Sequence, residues 1–97
     1  MTQIERISEM EKILDKTTLN LNSLLESVRN FTSVLPEYKM LLSYYSGGLW
    51  MKDFEDDENG KLPKNLKRGV LSEDAVYDLI TEIQNLKNEL AELSDCL

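Results

Sequence analysis

The feature that most constrains this chain is a stripe of apolar residues, spaced alternately three and four apart, over residues 2–34. With Ile7 at position a of a heptad, Leu14, Leu21 and Val28 follow at a, and Leu35 extends the series. Met10, Thr17, Leu24 and Phe31 occupy d, so Thr17 is the one polar residue along the seam. That period belongs to an α-helix, because a helix brings residues three and four apart onto one face. Thr2 followed by Glu5 forms a capping box, which predicts a helix start at residue 2. Pro36 biases Leu35 away from helical backbone, so this helix is expected to end near Val34.

Residues 73–95 repeat the pattern through Val76, Leu79, Ile83, Leu86, Leu90, Leu93 and Leu97. Ser72 is a good N-cap, and Glu73, Asp74 and Asp78 place negative charge near the positive end of the helix dipole. Two such stripes predict an all-α fold: an antiparallel hairpin or bundle of two long helices, packed like a coiled coil. That pairing would bring Arg6, at g, toward Glu89, also at g. Ile4, Ile13 and Leu25 widen the first stripe and Ile80 the second, beyond what a two-stranded seam needs. The extra width calls for a third helical layer, from the middle of the chain or from a second copy. The stripe residues are expected in the core, with Leu19, at f, outside it.

Between the stripes the pattern predicts one or two short helices and an ordered loop. Pro36 suits the first turn of a helix over 36–46, on which Tyr38, Leu41, Leu42 and Tyr45 share a face. Gly47 and Gly48 interrupt it, and Ser46 is placed to cap a restart over 47–58. There Leu49, Trp50, Met51 and Phe54 are expected to point inward. Asn59-Gly60 is a turn signal, so 59–72 reads as a loop crossing the bundle, with Leu62, Leu66, Val70 and Leu71 tucked against it. The whole of 1–97 reads as one helical domain.

Charge is concentrated in the middle. Asp53, Glu55, Asp56, Asp57 and Glu58 put five acids in six positions, and Lys61, Lys64, Lys67 and Arg68 follow as four bases. The overall charge of −7 opposes binding to a phosphate backbone, and four bases make too small a patch to overturn that. No direct contact with nucleic acid is therefore expected. No apolar run approaches a membrane span, and the first twenty residues lack the basic and apolar regions of a signal peptide. With a single cysteine, Cys96, no internal disulfide can form, and the chain reads as cytoplasmic.

The motifs that would carry chemistry are incomplete. Histidine is absent, so ordinary nucleophile–base pairs and zinc sites have no ligands or bases to draw on, and no catalytic residue is assigned. Glu55, Asp57, Asn59 and Gly60 fall at positions one, three, five and six of a calcium-loop template. Leu66 then stands where the bidentate glutamate belongs. Neither a metal site nor a cofactor is assigned, and Glu55, Asp57 and Asn59 are the weak candidates. The charge reversal suggests instead an internal clamp, in which Arg68, beside Lys67, bridges to Asp53 or Asp57 near Trp50 and pins the loop.

The segments YYSGGLW, DFEDDENGKLP and LKRGVLSEDAVYDL, in that order, resemble a family of small, acidic bacterial proteins catalogued as a domain of unknown function. The likeness is best over 38–80, and the flanking helices match in character. It implies a helical fold and a bacterial origin, and it supplies no activity. The sequence therefore predicts a small cytoplasmic protein–protein interaction protein, an adaptor or regulator, with an unknown protein partner or self-association. Two alternatives belong to other classes. One is a divalent-cation-responsive module using the acidic segment 53–59; the other is an acidic mimic of nucleic acid.

Overall fold

A computed structural model describes all residues, 1–97, and every regular element in it is helical. In chain order these are α1 (Gln3–Ser46), α2 (Gly48–Glu58), a 3-10 turn (Gly69–Leu71) and α3 (Ala75–Cys96). No strand is present, as the three-and-four spacing requires. The chain comprises two compact units, Met1–Met40 and Leu41–Leu97.

The first unit is the N-terminal length of α1. Its start follows the capping box: the Glu5 amide donates to Thr2 Oγ1 at 3.1 Å, and the Arg6 amide donates to the Thr2 carbonyl at 2.9 Å. The expected break at Pro36 does not occur. One helix runs from Gln3 to Ser46, with Pro36 inside it, so the separate helices predicted over 2–34 and 36–46 are one element. Proline fixes φ near its helical value, so what it removes is one backbone donor while its ring crowds the preceding turn. An interior proline costs about 3 kcal/mol. The turns beyond it offset that, because Leu41, Leu42, Tyr44 and Tyr45 are half-buried in the second unit.

The stripe itself departs from expectation. No residue of α1 is buried. The apolar a and d side chains from Ile7 to Phe31 are between 40 and 59% exposed, although their spacing predicts a core. Period reports which residues share a face; it does not say what covers that face.

In the second unit the chain leaves α1 through Gly47, whose amide donates to the Ser43 carbonyl at 3.1 Å. Ser46 does not cap the restart. Its hydroxyl turns back to the Leu42 carbonyl at 2.8 Å, and Gly47 takes the N-cap position without a side-chain bond. The end of α2 is built as Asn59-Gly60 predicts. Gly60 adopts φ 69°, and the amides of Gly60 and Lys61 return to the carbonyls of Asp57 and Asp56 at 3.0 and 2.9 Å. A left-handed residue is needed there to close both bonds, and only glycine takes that conformation without cost. After the loop, α3 starts two residues later than the stripe suggests, so its N-cap is Asp74, without a side-chain bond, instead of Ser72, whose hydroxyl still accepts the Ala75 amide at 3.3 Å. The core of this unit is small: Trp50, Leu71 and Val76 are its buried apolar residues.

The continuity of α1 through Pro36 carries a test. In an unbroken helix, Pro36→Ala restores a backbone hydrogen bond and relieves the ring contact, raising stability by about 1–3 kcal/mol. Circular dichroism melting should show a higher Tm. A lower Tm would mean that Pro36 starts a helix instead of interrupting one.

Candidate functional site

The distinctive geometry lies where α2 meets the segment 61–71, and it is organised around Trp50. The indole is buried among aromatics: Tyr45 meets it edge-on, with centroids 5.1 Å apart and planes at 71°, and Phe54 stacks on it at 5.2 Å and 16°. Its Nε1–H donates to the Val70 carbonyl at 2.9 Å, so the one polar atom of the ring is satisfied inside the unit. That bond fixes the 3-10 turn against α2, and Leu71 and Val76 complete the same core.

A second tie runs from the far end of α2. The Arg68 guanidinium donates through Nη1 to Asp57 Oδ1, through Nη2 to the Pro63 carbonyl and through Nε to the Leu66 carbonyl. Arginine suits this place because its fork of donors is rigid and can meet a carboxylate and backbone carbonyls together. Both side chains are partly shielded, at 33 and 19% exposure, so the pair is less screened than a surface bridge. Asp56 holds two further bases more loosely, Lys52 at 3.2 Å and Lys61 at 3.8 Å, with both lysines mostly exposed. Exposed pairs of this kind contribute a few tenths of a kcal/mol, roughly.

Asp53 is engaged elsewhere. Its Oδ2 accepts the Tyr44 hydroxyl at 2.7 Å, tying the last turn of α1 to the middle of α2. The Tyr44 hydroxyl is pushed up from 10.0 to about 12, first by burial, then by the hydrogen bond to Asp53, then by that carboxylate's charge. All three favour the neutral phenol. This contact was not legible in the sequence, because the two residues are nine apart and an irregular glycine link separates their helices.

The remaining residues singled out above fall as follows. Lys67 is exposed and forms no ion pair. Glu55 is exposed on α2, Asp57 belongs to Arg68, and Asn59 is the C-cap of α2. The calcium template needs a loop where this chain has helix, and no group of three or more carboxylates gathers around a common point. Of the side chains expected inward on α2, Leu49 and Met51 point out, at 64 and 51% exposure. An eleven-residue helix docked along one line has room on that line for Trp50 and Phe54, and their neighbours turn away. In the loop, Leu71 is buried and Leu62 half-buried, while Leu66 and Val70 remain exposed.

Aromatic packing, a carboxylate–guanidinium clamp and an open helical stripe define a small, acidic, all-α protein. The chain belongs to the family described as domain of unknown function DUF4298, whose pattern it matches over residues 7–93. No curated protein and no solved structure matches it. No helix is long and apolar enough to cross a membrane.

Two measurements probe this site. Arg68→Ala should cost about 1–3 kcal/mol, since it leaves Asp57 and two loop carbonyls without their donor. Thermal melting reads that loss, and trypsin should cut sooner after Lys61, Lys64 and Lys67; unchanged rates would refute the clamp. For Tyr44, the folded value lies above the ordinary one, so its contribution to stability is complete below pH ~10 and is lost as pH rises toward 12. In a tyrosinate absorbance titration Tyr44 should ionise late, and Asp53→Asn should lower its pKa.

Proposed function

We propose that this protein is a small cytoplasmic protein–protein interaction module, an adaptor or regulator without catalytic chemistry, which docks through the apolar face of α1. One observation carries the reading: α1 buries none of its residues, yet apolar side chains hold every a and d position from Ile7 to Phe31 except Thr17. A helix displaying such a face in water gains little from propensity alone, and most helical stability comes from covering that face. Contiguous exposed apolar surface of this extent marks an interaction site.

The chemistry of the acidic segment supports the same reading. Asp53, Asp56 and Asp57 are each engaged by a side chain of this chain, which leaves them poorly placed to hold an ion or act on a substrate. Cys96 is a free thiol, which suits a reducing compartment.

Site-specific photo-crosslinking in native cell extract tests the reading. A photoreactive residue at Leu14, on the stripe, should give discrete protein adducts, counting adducts to further copies of this chain. The same residue at Leu19, on the opposite face, should give few or none. Equal labelling at the two positions, or none at Leu14, would count against docking through the stripe.

A further inference from the structure

We infer that the occupant of the α1 face is a second copy of this chain, paired parallel and in register over residues 4–34. The inference rests on the docking role of that face and adds the partner. Four features of the helix favour its own copy.

The first is area. The exposed apolar surface of Ile4, Ile7, Met10, Ile13, Leu14 and the further stripe residues to Val34 is on the order of 1,000 Å² per copy, comparable with the roughly 800 Å² each partner contributes to a standard interface. The second is electrostatic. Residues 1–35 carry four bases and five acids, so two copies bring together segments of nearly zero charge. Residues 72–97 carry one base and seven acids, and bringing that stripe against its own copy would crowd negative charge. Of the two stripes, that of α1 is the one suited to self-pairing.

The third concerns the flanks of the seam. Positions e and g from Ile4 to Val34 hold only two charged residues, Arg6 at g and Glu11 at e. In a parallel pair, a g residue faces the e residue five positions further along the other helix. That geometry sets Arg6 against Glu11 of the second copy, twice by symmetry. A full-length antiparallel overlap faces g with g and e with e, and would instead set Arg6 near Val34 and Glu11 near Leu25, leaving both charges without a partner. The fourth is Thr17. A polar residue at one core position selects the register that gives it a polar neighbour. Parallel and in register, Thr17 meets Thr17; antiparallel, it meets Leu21.

Sedimentation equilibrium of the full chain reads the stoichiometry, and an engineered cysteine reads the register. The expected mass is twice that of one chain, falling to one chain in Leu14→Glu/Leu21→Glu, with Trp50 fluorescence unchanged because the second unit keeps its core. In a Cys96→Ser background, Met10→Cys should cross-link to its counterpart under mild oxidation, since both copies then bring position 10 to the same seam layer. A single-chain mass for the unaltered protein overturns the proposal. A dimer that Met10→Cys does not cross-link overturns the parallel register. Photo-adducts to other proteins at Leu14, together with a single-chain mass, would reject self-pairing while leaving the docking role standing.

Discussion

The indole of Trp50 holds the second unit together, because it joins elements that the chain leaves far apart in sequence. Its faces and edge take Tyr45 and Phe54, and its N–H reaches Val70, twenty residues on. An indole N–H buried without an acceptor would cost about 1–3 kcal/mol, so the bond directs the turn at Gly69–Leu71 to one position. Once that turn is fixed, Leu71 at its end is buried, the Ser72 hydroxyl can accept the first amide of α3, and Val76 closes the core. Arg68 then acts on the same segment from its other side, holding Pro63 and Leu66 to Asp57. With three buried residues, such a unit depends on polar bonds of this kind more than a larger domain would.

The local rules in the sequence were legible wherever one residue type has one physical use. Thr2 caps a helix, Gly60 supplies the left-handed turn, and the three-and-four spacing yields helices. Pro36 misleads because its preference is a bias of a few kcal/mol, and the turns from Leu41 to Tyr45 outweigh it. Ser46 misleads for a related reason. A serine at a helix end has two bonds open to it, and here it bonds back to Leu42. In the middle segment, opposite charges signal a clamp without naming the pairs. Asp53 and Asp57 are one helical turn apart, and which of them meets Arg68 depends on where the loop lands. The loop lands where Trp50 directs it. The Tyr44–Asp53 bond has no local signal at all, since it depends on the angle at Gly47.

The apolar period on α1 identifies a face and leaves its partner open. In the second unit, by contrast, each acid at Asp53, Asp56 and Asp57 and the guanidinium of Arg68 is met within the chain. The two regions therefore differ in what they still require from outside. Polar groups satisfied internally gain little from a new partner, because binding would exchange one set of hydrogen bonds for another. Apolar area gains about 25 cal/mol for each Å² removed from water. The driving force for association is thus concentrated in residues 4–34.

In the proposed dimer, that concentration would link folding to assembly. A single helix displaying an uncovered face is marginal in water, since each residue fixed costs conformational entropy that one backbone bond barely offsets. Covering the stripe adds burial of apolar area without adding to the entropy of the ordered backbone, so the helix becomes firm when the contact forms. Association of this kind would make the helix content of α1 dependent on protein concentration, whereas the core around Trp50 would stay independent of it. The two units would then differ in stability for one physical reason: one closes its bonds within the chain, and the other closes its apolar face between chains.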